Sequence, residues 1–310
     1  MISKMKAAIF VEPGRIVLDE KPIPDTGPLD AFIRTTTTTI CGTDIHMLKG
    51  EYPAKRGLTI GHAVGVIEKL GSAVRGYSEG QLVIAGAITP SGYSNACLCG
   101  CLSQDGTGTK HGFKAIGGWK FGNTIDGCHT VAVFAQGPIG LCATAAARLC
   151  GASMIISVDG APARMEMSRR LGADHCVDFK KSDPVDEIMR LTEGRGVVDV
   201  AIQALGTQAT FEAALRVLRP GGTLSSLGVY SSDLKIPLGP FAAGLADLKI
   251  VTALCPGSKE RMRRLMTVIA SSRADLKPLV THRFNLDQIE AAYDIFGHQR
   301  NGVLKVAITP

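Results

Sequence analysis

The fold of the second half of this chain is predicted by the sequence VAVFAQGPIG at positions 131–140. Its first four residues are apolar and predict a buried strand, and the glycines that follow predict a tight turn into a helix. A second apolar strand, IISV at 155–158, ends at Asp159. A strand, a glycine turn, a helix and a strand that ends in an acid are typical of dinucleotide-binding proteins.

We expect the turn to bind the pyrophosphate of a nicotinamide dinucleotide. Gly137 and Gly140 have the spacing of the second and third glycines of the known pattern, whereas Ala135 replaces the first. The negative charge of the phosphates would meet the N-terminus of the helix that follows. The expected contacts come from the backbone of four residues: Gly137, Pro138, Ile139 and Gly140.

The acid after the second strand indicates which dinucleotide is bound. Asp159 lies 22 residues after Gly137, close to the interval of about 20 residues expected for the acid that binds the ribose. A carboxylate there accepts hydrogen bonds from the ribose hydroxyls and repels a 2′-phosphate, so it favours NAD over NADP. Arg164, one turn into the next helix, is either a phosphate partner or an exposed surface charge. We therefore predict NAD as the cofactor.

The rest of the chain divides into a β-rich part and an alternating part. Residues 1–130 contain short β-like runs separated by turns, whereas strands and helices alternate from 131 to 255. This alternation predicts an α/β fold with a doubly wound parallel sheet. Residues 256–310 are expected to return to the first domain, so that the two domains comprise 1–130 with 256–310, and 131–255.

Composition excludes several classes of partner and compartment. A net charge of +6 without a long basic run does not indicate nucleic-acid binding. The apolar region from 131 to 158 is interrupted by polar residues and glycines, so no membrane span is expected. No signal peptide is recognised at the N-terminus. Nine cysteines, an odd number, favour a reducing compartment, and we expect a cytoplasmic protein.

Two loops of the first domain contain candidate metal ligands, because the thiolate of Cys41 and the imidazole of His62 are both groups that bind zinc. These loops and several other motifs together resemble the zinc-dependent medium-chain alcohol dehydrogenases, in particular their bacterial secondary-alcohol branch. The matching motifs are CGTDIH (41–46), GHAVG (61–65), GWKF (118–121), AQGPIG (135–140), LRPGG (218–222), CPG (255–257), LVTHRF (279–284) and AAYD (291–294).

The resemblance implies a GroES-like β-rich catalytic domain beside a Rossmann domain. It also implies hydride transfer between NAD(H) and a small secondary alcohol or ketone, in a homo-oligomer that is a tetramer or a dimer. Cys41 and His62 would be ligands of the catalytic zinc. Thr43 would bind the alcohol oxygen, and His46 would pass its proton to water.

Two further residues have both a functional and a structural interpretation. Asp44 would orient a zinc-binding imidazole, or it would cap the helix that follows. Trp119 would line a small apolar substrate pocket, or it would be a core aromatic residue. A run of three cysteines, Cys97, Cys99 and Cys101, has too short a spacing for a structural zinc lobe and favours reduced cysteines on a loop.

The sequence departs from the family pattern at two places. Ala63 stands where the family usually has a glutamate after the zinc-binding histidine. In addition, about fifty residues expected from the typical length of this domain are absent before position 131. The third zinc ligand should lie in that segment, and Cys128 or His129 is the candidate substitute. Two alternatives stay open: a dinucleotide-binding protein with lost or weak catalysis, and a zinc-free reductase of quinones or enones.

Overall fold

A computed structural model describes residues 4–86, 95–98, 129–192, 198–253 and 259–310 of the chain. The structure divides into two compact units, the first formed by 1–117 with 280–310 and the second by 118–279. Within the described ranges, no helix is both long enough and apolar enough to cross a membrane. The motif residues Trp119, Cys99, Cys101 and Cys128, and the segment CPG, lie outside those ranges.

The first part of the chain is mainly β-structure and positions the loop of the predicted zinc ligands. Its elements are β1 (Lys4–Glu12), β2 (Arg15–Pro22), β3 (Ala31–Thr39), α1 (Gly42–Leu48), β4 (His62–Leu70), β5 (Leu82–Ile84) and α2 (Asn95–Leu98). β3 pairs antiparallel with β4, and Thr39 at the end of β3 lies opposite His62 at the start of β4. Because Cys41 follows two residues after Thr39, the two candidate ligands share one end of this strand pair.

The second unit is an alternating α/β structure. Its elements are β6 (Thr130–Phe134), α3 (Pro138–Leu149), β7 (Met154–Asp159), α4 (Pro162–Leu171), β8 (His175–Asp178), α5 (Pro184–Leu191), β9 (Val198–Gln203), α6 (Gln208–Arg216), β10 (Leu218–Ser226), β11 (Lys249–Thr252) and α7 (Lys259–Ala270). The six strands pair in parallel, in the order β11-β10-β9-β6-β7-β8. The predicted doubly wound parallel sheet is therefore confirmed.

The burial of the central strand β6 explains why its sequence is a continuous apolar run. Ala132 and Phe134 pack into one core cluster, whereas Val131 and Val133 pack into another, and all four are buried. A strand with both faces covered needs apolar residues at every position. The glycine turn therefore follows the carboxyl end of a strand that is buried on both faces.

The C-terminal segment completes the sheet of the first unit. It forms β12 (Val280–Asn285), α8 (Ile289–Gly297) and β13 (Lys305–Thr309). The five strands have the order β12-β13-β3-β4-β5, and Ile308 pairs antiparallel with Thr38. α7 lies in the second compact unit, whereas the prediction from the sequence assigns residues 256–310 to the first domain. The domain limits predicted from the sequence, 130/131 and 255/256, stay a prediction.

One helix boundary differs from the prediction. The sequence predicts a helix over 207–218 that stops at the Pro-Gly-Gly segment. In the structure this helix ends at Arg216, and Leu218 already pairs with Val198 of β9. The pairing register then shifts before it resumes between Thr223 and Val200. The Pro-Gly-Gly segment thus forms an irregularity inside β10 rather than the end of a helix, because tertiary pairing with β9 competes with local helix propensity.

Candidate active site

The glycine turn between β6 and α3 has the backbone that a dinucleotide site requires. Gly137 is the residue before the first turn of α3, and a Cβ placed on it would have no neighbour within 4 Å. This residue has no side chain that could cap the helix, and Pro138 has no N–H. The N–H groups of Ile139 and Gly140 are therefore the first-turn donors that a pyrophosphate could use.

Gly140 holds α3 close to the turn that precedes it. A Cβ at this position would lie 1.8 Å from the carbonyl oxygen of Ala135 and 3.6 Å from the Cβ of Ala204. Only glycine permits this approach of helix and turn. The structure thus gives Gly137 and Gly140 different physical roles, open space at the first and close packing at the second, as the pattern predicts.

Ala135 occupies the position of the missing first glycine and adopts a backbone conformation that favours glycine. Its φ is +70°, in the left-handed region, where a Cβ costs about 1 to 2 kcal/mol. We expect Ala135→Gly to raise the free energy of unfolding by about 0.5 to 1 kcal/mol, after the greater entropy of the unfolded chain is subtracted. Chemical denaturation would measure the change.

The matched control for this prediction is Ala161→Gly. Ala161 also precedes a helix of the same unit, but its φ is −105°, a conformation that alanine adopts without strain. This control should be neutral or destabilising, because the substitution only adds freedom to the unfolded chain. Equal effects of the two substitutions would contradict a strained turn at Ala135.

Asp159, at the end of β7, is bound to the same turn. Its Oδ2 accepts a hydrogen bond from the backbone N–H of Gln136 at 2.7 Å, and its Oδ1 accepts from Gly160 and Ala161, each at 2.8 Å. The guanidinium of Arg164 lies 3.8 Å from Oδ2. The buried carboxylate therefore connects the glycine turn to the start of α4, a structural function that spacing alone does not indicate.

The predicted zinc-ligand loop is built around the start of α1. Cys41 is the residue before the helix, and its backbone N–H donates to Oδ2 of Asp44 at 2.8 Å. The Cys41 thiol lies 3.8 Å from the hydroxyl of the buried Thr43. Of the two interpretations of Asp44, the structure shows helix capping directly. Orientation of a zinc-binding imidazole stays a prediction.

The electrostatic environment of the loop favours a neutral imidazole at His62. Burial lowers the pKa of His62, and the charge of Lys305 lowers it further, whereas the charge of Asp44 acts in the opposite direction. Burial raises the pKa of Asp44, opposed by the hydrogen bond from Cys41 and the nearby positive charges. A neutral imidazole is the form that binds metal ions.

His46, the predicted proton relay, is held by an acid that sequence reasoning missed. Its Nδ1 forms a hydrogen bond with Oε2 of Glu51, and both side chains are about one-third exposed. An imidazole bound at Nδ1 can exchange a proton with water through Nε2. A glutamate five residues after a histidine is no recognised motif, so nothing in the sequence marked Glu51 for this role.

Two further residues were missed because they come from the other end of the chain. The hydroxyl of Tyr293 donates to Asp44 Oδ2 at 3.3 Å, and Nζ of Lys305 donates to the carbonyl of Ile40 at 2.6 Å. Burial and the neighbouring Asp44 raise the pKa of Tyr293 well above its usual value, so its phenol stays protonated. Tyr293 belongs to the AAYD motif, but the motif alone assigns it no contact.

The donor set fits zinc in kind but is incomplete. Cys41 and His62 supply a thiol and an imidazole, yet no cluster of three or more potential ligands occurs among the described residues. Ala63 has no ligating atom, and His129 precedes β6 in the second unit. Catalytic zinc normally has three protein ligands. The described residues therefore supply two of the three protein ligands that a catalytic zinc needs.

Comparison with known proteins identifies alcohol dehydrogenases and their two domains as the proteins that this chain resembles. Residues 27–136 match the family described as "Alcohol dehydrogenase GroES-like domain", and residues 138–271 match "Zinc-binding dehydrogenase". An "Alcohol dehydrogenase" of Cupriavidus necator is 58% identical, with 100% of both chains covered. An "NADP-dependent isopropanol dehydrogenase" of Thermoanaerobacter brockii is 29% identical, with 98% of this chain and 99% of that protein covered.

Among solved structures, "Zinc dependent alcohol dehydrogenase 2 from Streptococcus pneumonia" has a TM-score of 0.87 and 28% sequence identity. The comparison covers 98% of each chain. Together, these likenesses confirm the expected GroES-like and Rossmann folds. They favour an alcohol/ketone oxidoreductase over the two alternatives, a cofactor-binding protein without efficient catalysis and a zinc-free reductase.

The comparisons also bear on the length of the chain. The alignment with the Cupriavidus necator relative spans 366 positions, 56 more than the 310 residues present here. At least that many positions of the alignment have no residue in this chain. The difference agrees in size with the segment of about fifty residues expected before position 131. Its placement there stays a prediction.

Proposed function

The chain belongs to the zinc-dependent medium-chain alcohol dehydrogenase family, and from this premise we propose that it transfers hydride between NAD(H) and a small secondary alcohol or ketone. The choice of NAD, the secondary alcohol and the roles of individual residues are parts of this proposal. So are a cytoplasmic location and assembly into a dimer or tetramer. One observation carries it: the glycine turn of 135–140 is joined to the carboxylate of Asp159.

The contacts of Asp159 support a preference for NAD. The carboxylate lies at the carboxyl end of β7, where the ribose of a bound dinucleotide is expected. Three backbone N–H groups donate to this carboxylate and fix its position, and its negative charge opposes a 2′-phosphate. The ion-pair contact with Arg164 offsets part of that charge, so NADP binds more weakly but is not wholly excluded.

The first unit supplies the groups proposed for proton transfer. Thr43 Oγ1 would accept the proton of the alcohol hydroxyl while releasing its own proton to Nε2 of His46, and the same nitrogen would then release that proton to water. Glu51 keeps His46 oriented through Nδ1. Cys41 and His62 would be two of the protein ligands of a zinc ion, whose chemistry when bound is to polarise the alcohol oxygen. Trp119 is proposed to line the substrate pocket.

The proposed function is tested by oxidation of 2-propanol, with ethanol as the primary-alcohol control. The protein is first treated with a chelator and then assayed with NAD or NADP, each with and without added Zn²⁺. We expect turnover only after zinc is restored, with a higher kcat/KM for NAD and for 2-propanol. Absence of turnover in every condition, or reduction of an activated alkene that chelation leaves unchanged, would contradict the proposal.

Substitution of Asp159 tests its part in cofactor binding. Asp159→Ala removes the acceptor of three backbone hydrogen bonds, including the one from Gln136 in the glycine turn. We expect NADH affinity to fall by about tenfold or more, because hydrogen bonds to a charged group are worth about 1.5 to 3 kcal/mol each. NADPH affinity should not rise above that of the unmodified protein for NADH, because the turn that holds the phosphates is also disturbed.

Asp178→Ala is the matched control for Asp159→Ala. Asp178 ends the neighbouring strand β8, directly opposite Asp159 in the sheet, and its contacts are with Lys180 and Lys181 rather than with the glycine turn. The Asp178→Ala substitution should leave the dissociation constant of NADH, measured by fluorescence titration, almost unchanged. Equal losses in the two variants, or no loss in either, would contradict the special role of Asp159.

A further inference from the structure

The turn that contains Cys41 is fixed by residues close to the C-terminus. Ile40, immediately before Cys41, is fully buried, and its backbone N–H donates to the carbonyl of Val306 at 3.4 Å. Its carbonyl accepts a hydrogen bond from Nζ of Lys305 at 2.6 Å. Both backbone groups of Ile40 are thus bound by adjacent residues of β13, which pairs with β3 in the same compact unit.

A second contact reaches the turn from α8. Tyr293 donates through its hydroxyl to Asp44 Oδ2, the same oxygen that accepts the backbone N–H of Cys41. Tyr293 and Asp44 are both buried. A buried polar group without a hydrogen-bond partner is costly. Loss of the Tyr293 hydroxyl or of the Cys41 N–H as a donor to Asp44 Oδ2 would therefore weaken the whole connection from α8 to Cys41.

Resting on the proposed function, in which Cys41 is a zinc ligand, we propose that Tyr293 and Lys305 are positioning residues that hold the Cys41 thiol for metal binding. They act on the two sides of Cys41, Lys305 through the preceding carbonyl and Tyr293 through Asp44. A site that is short of ligands among the described residues depends strongly on how well each remaining ligand is placed. Neither residue is a ligand or touches the reacting atoms in this proposal.

The experiment compares Tyr293→Phe and Lys305→Met with the unmodified protein. Zinc affinity is measured by competition with a chromophoric chelator, and alkylation of each cysteine by iodoacetamide is followed by peptide mass spectrometry. We expect zinc affinity to fall by about tenfold or more, as is typical when a partner of a metal ligand is removed. We also expect faster alkylation of Cys41 in the metal-free protein, because the turn is less restrained.

Matched controls separate positioning from general destabilisation. Tyr230→Phe removes a hydroxyl that is hydrogen-bonded to Ser226, and Lys6→Met removes an ammonium group paired with Asp287. Both should keep normal zinc affinity and normal alkylation of Cys41. Lys305→Arg should restore most of the affinity lost in Lys305→Met, because a guanidinium can still donate to the Ile40 carbonyl. Alkylation of Cys97 and of the buried Cys142 should not change in any variant.

The outcomes distinguish this proposal from the proposed function. Unchanged alkylation of Cys41 and unchanged zinc affinity in Tyr293→Phe and Lys305→Met would overturn the positioning role. Alkylation of Cys97 and Cys142 that rises together with that of Cys41 would also overturn it, since the effect would then be general. If the unmodified protein binds no zinc, the proposed function fails, while the alkylation of Cys41 still decides whether the two residues position the turn.

Discussion

Gly140→Val is expected to abolish measurable NADH binding and to lower the thermal stability of the protein. The Cβ of any side chain at this position would meet the backbone oxygen of Ala135 at 1.8 Å, and backbone cannot rotate away as a flexible side chain can. α3 would have to move back from the turn, which carries the N–H groups of Ile139 and Gly140 away from the phosphates. Overpacking of this kind costs about 1 to 3 kcal/mol, occasionally more.

Gly137→Ala provides the contrast within the same turn. Gly137 has φ −66°, which alanine adopts readily, and a Cβ there meets no protein atom within 4 Å. Stability should therefore stay close to that of the unmodified protein, whereas NADH affinity should fall because the methyl group occupies space that the pyrophosphate needs. Thermal unfolding and fluorescence titration of NADH measure the two effects. A Gly140→Val protein with normal stability and NADH affinity would contradict the packing argument.

Local features of the second unit could be predicted from the sequence because short-range rules determine them. Aspartate is a residue type that favours the start of a helix, and the side chain of Asp183 accepts hydrogen bonds from the N–H groups of Val185 and Asp186 at the start of α5. The apolar runs of β6 and β7 likewise identified strands covered on both faces. The irregular start of β10 was not predictable, because its pairing with β9 depends on tertiary context.

The position of Asp159 was predictable from its interval after Gly137, but its hydrogen bonds were not. The carboxylate reaches the backbone of Gln136, a contact across 23 positions that exists only once β6 and β7 are paired. The same limit applies more strongly to the zinc-ligand loop. Tyr293 and Lys305 lie 249 and 265 positions from the residues they contact, so no spacing rule could identify them.

Cys41→Ala is expected to abolish zinc binding and alcohol oxidation together while leaving NADH binding intact. Only Cys41 and His62 among the described residues match the ligands implied by the family, so loss of one leaves a single imidazole, which cannot hold catalytic zinc. The fold should tolerate the change. The side chain of Asp44 is bound by the backbone N–H of residue 41, which alanine keeps. The thiol contacts the hydroxyl of Thr43 at 3.8 Å and the backbone of Asp44, and a thiol forms only weak hydrogen bonds.

Three measurements on Cys41→Ala, with Cys150→Ala as control, test this prediction. Zinc content by mass spectrometry and NAD-dependent oxidation of 2-propanol should both be lost, whereas fluorescence titration should give a nearly normal dissociation constant for NADH. Cys150 is an exposed residue at the end of α3, and its replacement should leave zinc content and alcohol oxidation unchanged. Alcohol oxidation that survives in Cys41→Ala would contradict the proposed zinc mechanism, because the alcohol would then be oxidised without a metal ion at this loop. Loss of NADH binding together with zinc would instead indicate that the cysteine maintains the fold.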